Sequence, residues 1–345
     1  MNTVVNKVVT IKDVAQAAGV SVATVSRAIN NRSNVAPEVR THILAIAKEL
    51  RYVPHAGATS LSARRTHMAG LVLPALHGEY FSELMHGVDG VFRDHHLHLL
   101  VASYRSETDL TTVLRNIRTR VDGMLILPPN LTPHSDLRDL LELDKPFVLL
   151  NGSPIIPGAL QVGIDNHHLA EDMVAHLVEQ GYANIAFVNG IEGNPDSAER
   201  QRGYRDAMAR LLPDTPIIEF SGDYTEPTGY QAGLAVLEHN RAHPDWPIDA
   251  VFCANDWMAL GMQHSLLAND VRIPQDIAVA GVDDIALARY MPVPLTSVRT
   301  DVIRVGQRAA KLLCHLIGGG THLVDHEMMR SVIEVRQSTV RGARQ

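Results

Sequence analysis

The sequence predicts an α/β protein: two doubly wound subdomains behind a small all-α head. Three observations carry this. From residue 67 to 341 short apolar runs alternate with amphipathic stretches, and strand–helix alternation implies parallel sheets covered on both faces. The alternation falls into two similar series, which favours two subdomains over one large sheet. The first 65 residues follow another pattern, three short helices around a glycine turn.

Composition narrows the class. Of 345 residues, 46% are apolar and 20% charged, a globular profile with too many residues for one compact core. No apolar stretch is long enough to span a bilayer. Residues 1–9 lack the apolar core and small-residue cleavage site of a secretion signal. Cys253 and Cys314 are far apart and in no CxxC pairing, which excludes a disulfide scaffold and a zinc ribbon and fits a reducing cytoplasm. Charge is uneven. Residues 1–65 hold nine Lys/Arg against three acids, a net of +6, while the remainder carries −13. A basic head on an acidic body suggests that only the head meets a polyanion.

In the head, residues 8–54, Thr10-Ile11-Lys12-Asp13 has the capping-box form and opens a helix with Ile11, Val14, Ala15 and Ala18 on one face. Gly19 ends it, and Val20 plugs the small core under the turn. Ser21 caps a second helix over 22–29, with Val25 and Ile29 inward, and Asn30-Asn31 breaks it. Pro37 suits the first position of a third helix, which runs to about residue 50 with Val39, Ile43, Ile46, Ala47 and Leu50 as its buried stripe. This is the layout of a helix-turn-helix, whose second helix enters the major groove. Val22, Ala23, Ser26 and Arg27 face outward there. Arg27 can bond two acceptors on one guanine, and Val22 and Ala23 can meet thymine methyls.

The body's strand candidates are 68–73, 98–103, 124–127, 147–150 and 161–164, then 185–189, 217–220, 250–253, 277–281 and 331–335. Helices are expected at 81–95, 109–120, 168–180, 200–212, 228–238, 257–269 and 301–317, with the division near Asp165. Ligands bind beyond the carboxyl ends of strands in such sheets. Pro74, His77, Tyr80 and Phe81 follow the first strand, and Asn151 and Asp165 the fourth and fifth. Arg200 is expected at the start of a helix. Asp223 and Tyr224, Asn255-Asp256 and Asp283-Asp284 follow later strands. Amides and carboxylates for hydroxyls, with rings for an apolar face, suit a sugar. Asn255 and Asp256 are also candidates to cap the helix near Trp257, Asp256 more than Asn255.

Other classes lack their motifs. GxSxG, P-loop, HExxH and GxGxxG are absent. Asp283 and Asp284 are adjacent, and on an extended segment they point in opposite directions, so they do not flank one glycosidic bond. His95-His96-Leu97-His98 lacks a helical i, i+4 geometry and a Cys partner. The chain is therefore read as having no catalytic residues, no metal and no cofactor.

Residues 9–30, VTIKDVAQAAGVSVATVSRAIN, resemble the DNA-binding segment of the lac-repressor/galactose-repressor family of bacterial transcriptional regulators. The likeness continues through VRTHILAIAKELRYVPHAGATSLSARRT and more loosely to the end. It implies that Val22, Ala23 and Arg27 read bases and that Thr10, Ser21, Thr24, Ser26, Asn30 and Tyr52 hold phosphates. Residues 55–66 resemble the family's hinge helix, with His55, Ala58 and Leu61 on one face and Leu61 as a minor-groove wedge. Thr59 stands where a basic residue is common, His55 where Asn is, and Ala36 where a hydroxyl cap is.

For the body the likeness implies subdomains like those of a type I periplasmic binding protein, 67–164 plus 299–328 and 165–298 plus 329–341. Arg200 falls on the family's ligand arginine, Asn255 on its ANDxxAxG motif and Asp283 on its GxDD motif. Tyr80 and Phe81 fall on its NPFF region, here Gly78-Glu79-Tyr80-Phe81. Ile164, Tyr224 and Thr300 fall on pocket-facing positions. The expectation is a cytoplasmic repressor binding palindromic operator DNA as a homodimer, controlled by a small sugar-like effector, with a nucleoside or phosphorylated effector left open. The residues after Val335 include one aliphatic side chain, Val340, too few for the coiled coil of a tetramer.

Overall fold

The structure is a computed structural model that describes residues 9–30, 34–52, 65–74, 79–128, 145–150, 158–321 and 326–341. Two compact units form, Met1–His67 and Met68–Gln345.

The first unit holds α1 (Ile11–Ala18), α2 (Val22–Ile29) and α3 (Pro37–Glu49). The Asp13 carboxylate accepts from the Thr10 amide at 2.8 Å and from its hydroxyl at 2.7 Å, securing the start of α1. Gly19 ends α1 at φ 65°, a left-handed conformation that glycine adopts without strain. The Ser21 hydroxyl accepts from the Thr24 amide and caps α2. Val14, Val25 and Ile43 are fully buried at the centre, each worth about 1.5–3 kcal/mol of burial. Two inward positions differ from expectation. Ala28, 2% exposed, takes the place expected of Ile29, which is half-buried. Val39 is 37% exposed. The first turn of α3 contributes no buried residue, and its buried positions are Ile43 and Ala47.

The second unit contains two six-stranded sheets. The first sheet draws on β1 (Met68–Leu73), β2 (His98–Ser103), β3 (Gly123–Ile126), β4 (Phe147–Leu150), β5 (Gln161–Ile164) and, from far along the chain, β11 (His326–Met329), in the order β11-β5-β4-β3-β1-β2, all parallel. The second sheet has the order β12-β10-β9-β8-β6-β7. Its strands are β6 (Ile185–Val188), β7 (Ile218–Phe220), β8 (Ala250–Cys253), β9 (Ala278–Asp283), β10 (Thr296–Arg299) and β12 (Val332–Glu334). Only β12 runs antiparallel, against β10. The chain passes between the sheets after Ile164, after Arg299 and after Met329.

The body's helices are α4 (Glu79–Asp94), α5 (Glu107–Ile117), α6 (Asn166–Glu179), α7 (Pro195–Leu211), α8 (Glu226–Ala242), α9 (Asp256–Leu267) and α10 (Val302–Ile317). α10 follows the second passage and packs on α4. A Cβ at Gly87 would lie 2.2 Å from the Ile303 carbonyl, and one at Gly306 2.6 Å from that of Leu84, so glycine on both helices permits the contact. Several helices begin earlier than their apolar stripes indicate, α7 by five residues. Its first turn is polar, with Asn194 as the cap and Pro195 at the first helical position. Two strands escape hydropathy altogether. β10 buries Thr296 and Ser297 completely, and β11 is an edge strand of sequence HEMM.

Candidate functional site

On α2 the recognition geometry follows from the cap. Val22, Ala23 and Arg27 are exposed, Val22 at 41%, on the face away from Val25 and Ala28. Ser21 and Thr24 exchange a hydroxyl hydrogen bond of 2.8 Å at the N-terminus of that helix, and Thr10 is exposed at the start of α1. Asn30 turns back, its amide donating to the Ser26 carbonyl at 2.9 Å, with the Ser26 hydroxyl at 3.4 Å. Tyr52 is half-buried, packed on the head's core. His55, Ala58 and Leu61 lie outside the described residues.

In the body, the site grows from the carboxyl ends of the strands. Arg200 is its centre. It lies in the second turn of α7, not at the helix start as expected, and is 7% exposed. Its Nε donates to Asn166 Oδ1 at 2.8 Å, its Nη1 donates to the Ala254 carbonyl just past β8, and its Nη2 stands 4.0 Å from Asp283 Oδ1. Asn166 in turn donates through Nδ2 to Asp196 Oδ1 at 2.8 Å. An amide from α6 therefore bridges an arginine and a carboxylate four residues apart on α7.

Tyr224 follows β7 at φ 69°. Its ring occupies the space where a Cβ at Gly190 would stand, 2.2 Å from the ring, and its centroid lies 6.0 Å from Arg200 Cζ. Asn255 Nδ2 donates to the Tyr224 carbonyl at 3.0 Å, and its Oδ1 accepts from the Met258 amide at 2.9 Å. Asn255 is thus the N-cap of α9, which corrects the greater weight given to Asp256. The Asp256 side chain is fully buried and does something else. It accepts from the Ser297 hydroxyl at 2.6 Å and the Ile285 amide at 2.9 Å, fastening the turn after β9.

Asp283 and Asp284 do point apart, but not on an extended segment. Their φ angles are 108° and 54°. Asp283 looks toward Arg200, while Asp284 pairs with Arg336 at 2.6 Å.

Tyr80 at the start of α4 and Ile164 at the end of β5 line a cavity shared with Asn166 and Asp196. Tyr80 meets Phe81 edge to face at 5.3 Å, and Phe81 packs against the body's core. Thr300, 2% exposed, finds no hydrogen-bond partner for its Oγ1 among the described residues. His77 and Asn151 lie outside the described residues. Asp165 is the N-cap of α6 and holds His168.

The electrostatics favour hydroxyl donors. Burial raises the Asp196 carboxyl against the pull of Arg200. Burial also raises Asp283 to about 6, opposed by Arg200 and reinforced by Asp196, Glu83 and Glu79. Burial pushes the Tyr224 hydroxyl up to about 12 and the Tyr80 hydroxyl up as well, with Asp196 and Asp283 adding to the latter. Both phenols stay protonated, and both can donate or accept. Across the mouth of the cleft the Ala286 amide donates to Glu79 Oε1 at 3.0 Å.

Sequence reasoning missed Asn166, Asp196 and Glu79. Asp196 had a signal: Asn194-Pro195 marks a helix start, and from there Asp196 and Arg200 share a face at i, i+4.

Comparison with known proteins agrees with this fold. Residues 10–55 match the model of bacterial regulatory proteins of the lacI family, and residues 174–339 that of the periplasmic binding protein-like domain. The chain is similar to the ribose operon repressor of Escherichia coli (strain K12), 34% identical over 318 residues that cover 89% of this chain and 93% of that protein. It is similar in structure to the lac repressor dimer bound to operator and the anti-inducer ONPF, with a TM-score of 0.86 and 24% identity over 97% of this chain and 100% of that one. A complex of the transcriptional regulator CelR with cellobiose matches with a TM-score of 0.68 and 29% identity, over 96% and 99% of the two chains.

Proposed function

This chain belongs to the lacI family of bacterial regulatory proteins, and from that premise we propose that it is a transcriptional repressor whose hold on operator DNA is set by a sugar-like effector bound between the two subdomains of the body. It is a regulator and not an enzyme.

The observation that carries the effector reading is the Arg200 network. A buried guanidinium is held by Asn166 and the Ala254 carbonyl, with Asp283 and Asp196 beside it and the rings of Tyr80 and Tyr224 nearby. Sugar hydroxyls donate to carboxylates and accept from guanidinium and amide groups, and ring C–H faces pack on aromatic rings. Arg200, Asn255 and Asp283 are assigned to the hydroxyls, Tyr80 and Tyr224 to the apolar face, and Phe81, Ile164 and Thr300 to the wall. A cellobiose complex among the matching structures supports a sugar.

On the DNA side, Arg27, Val22 and Ala23 read base edges. Thr10, Ser21, Thr24, Ser26, Asn30 and Tyr52 hold phosphates, and His55, Ala58 and Leu61 enter the minor groove. One head reads one half-site, so a homodimer fits a palindromic operator, as in the lac repressor dimer on its operator. An effector that prefers one arrangement of the subdomains shifts the population of the DNA-binding state. The protein acts in the cytoplasm, where the chromosome is. Among the described residues no helix is long and apolar enough to cross a membrane.

The test is selection of bound sequences from random duplex DNA, followed by gel retardation of the selected site with a panel of sugars. A palindrome should emerge, and at least one sugar should shift both the retarded fraction and the melting temperature, because a ligand that binds only the folded state stabilises it. Enrichment of no sequence would refute the repressor reading. A palindrome insensitive to every sugar, with no thermal shift, would refute the sugar.

A further inference from the structure

The first turns of α6 carry a group of side chains that the effector site does not use. His167, His168 and Glu171 each bring one ligand atom, a ring nitrogen or a carboxylate oxygen, within 4.8 Å of the others, and among the described residues they are the only such group able to hold a metal ion. Helical spacing explains the convergence. Glu171 is four residues from His167 and three from His168, so its carboxylate lies on the face between the two rings. Glu171 Oε2 is 3.5 Å from His167 Nδ1 and 4.0 Å from His168 Nε2. Ligand atoms of a tetrahedral zinc ion stand roughly 3.4 Å apart at ordinary zinc–nitrogen distances.

The opposite ring nitrogens give the second observation. His167 Nε2 lies 2.8 Å from Asp206 Oδ2 on α7, and His168 Nδ1 lies 2.7 Å from Asp165 Oδ2. A metal-bound histidine commonly donates its other N–H to a carboxylate, which fixes the tautomer and leaves the ligating lone pair facing the ion. Here both histidines are arranged so, and each directs its remaining nitrogen toward Glu171. Arg210 approaches the other Glu171 oxygen at 3.4 Å. The frame is firm. A Cβ at Gly203 would lie 2.1 Å from the His167 carbonyl, so α7 rests directly on α6 and keeps Asp206 in reach.

Capping explains the Asp165–His168 pair alone. It does not explain the second histidine, the second carboxylate behind it, or the shared oxygen between them. We propose that His167, His168 and Glu171 form a zinc(II) site, with water as the fourth ligand and Asp206 and Asp165 holding the two imidazoles. Two imidazoles and a carboxylate suit zinc over magnesium or calcium, which prefer all-oxygen shells. The His168 side chain, 45% exposed, leaves the water position open to solvent. The site adjoins Asn166, so a bound ion anchors the turn that supports Arg200.

The chain has 18 histidines, so the experiment rests on variants. Tag-free, metal-stripped full-length protein is titrated with Zn2+ against a chromogenic chelator and, separately, with Co2+ followed by visible absorption. One ion per chain and the bands of tetrahedral cobalt are expected. Glu171→Gln and His168→Gln should each abolish both. Asp206→Asn, on a half-exposed side chain that ligates nothing, should weaken zinc about 10–100-fold, with an unchanged melting temperature in the absence of metal. No stoichiometric zinc, or equal affinity in wild type and in Asp206→Asn and Glu171→Gln, would overturn the site.

Discussion

Replacing Asp283 by Asn should stabilise the body in a way that depends on pH. In the folded protein the Asp283 carboxyl is raised from 3.8 to about 6, first by burial and then by Asp196, Glu83 and Glu79, against the pull of Arg200. The folded state therefore binds a proton more tightly than the unfolded chain does, and stability falls as pH rises through the window between the two values. With those values the ionisation costs about 1.6 kcal/mol at pH 5 and about 3 kcal/mol at pH 7.5. The side chain is 22% exposed, so these are upper figures. Asparagine does not ionise. Whatever constant offset it brings, its stability minus that of the wild type should widen by up to about 1.4 kcal/mol between pH 5 and pH 7.5. Urea unfolding of both proteins at four pH values, following the body's transition, measures this directly. A difference that stays flat with pH would show that Asp283 titrates normally and that Arg200 already neutralises it. Effector affinity of the wild type should rise over the same window, because a sugar hydroxyl donates more strongly to the carboxylate than to the neutral acid.

Three further outcomes are expected. Arg27→Ala should lower affinity for the selected operator by about 1–3 kcal/mol while leaving random DNA and sugar binding nearly unchanged; equal loss on random DNA would mean that Arg27 only holds phosphate. Arg200→Ala should do more than remove the effector response. It leaves Asn166 Oδ1 and the Ala254 carbonyl without their donor and two carboxylates without their cation, a loss of about 3–5 kcal/mol by analogy with other broken buried pairs, and an unaltered melting temperature would refute that bracing role. Asn255→Ser should keep the cap of α9 but leave the Tyr224 carbonyl without the Asn255 donor, at a cost of about 1–3 kcal/mol in stability, and should weaken the effector, as read by calorimetric titration; unchanged affinity would reduce Asn255 to a structural residue.

Elements were legible where burial and apolarity coincide. β1, β4, β5 and β8 are short, largely apolar runs, MAGLVL, FVLL, QVGI and AVFC, that the structure keeps as their sequence reads. β10 defeats that reading, because its two fully buried residues are Thr296 and Ser297. Their hydroxyls are spent inside: Thr296 on the Arg336 carbonyl and Thr339, Ser297 on Asp256. A buried hydroxyl with partners is stable, but its partners lie 40 or more residues away and no local window contains them. Helix starts were late for a related reason. A first turn is held by its cap, and Ser106, Asp165 and Asn194 announce their helices more reliably than the apolar stripe that begins two to five residues later.

The same distinction divides the effector site. Arg200, Asn255 and Asp283 could be found because each follows a strand or lies in a motif read along the chain. Asn166 and Asp196 could not be found as a pair, since their bond joins α6 to α7 across 30 residues. What the structure adds is a division of labour among acids that look alike in sequence. Asp256 is wholly buried and committed to Ser297 and Ile285, and Asp284 is matched by Arg336. Asp283 alone of the three is part-open, and among the described residues the cation beside it, Arg200, stands 4.0 Å off, too far for a hydrogen bond. A carboxylate that is raised, incompletely paired and beside an arginine already anchored elsewhere is where an incoming hydroxyl gains most. The sequence shows three aspartates at strand and helix ends, and the spacing of their partners decides which one is left to meet the ligand.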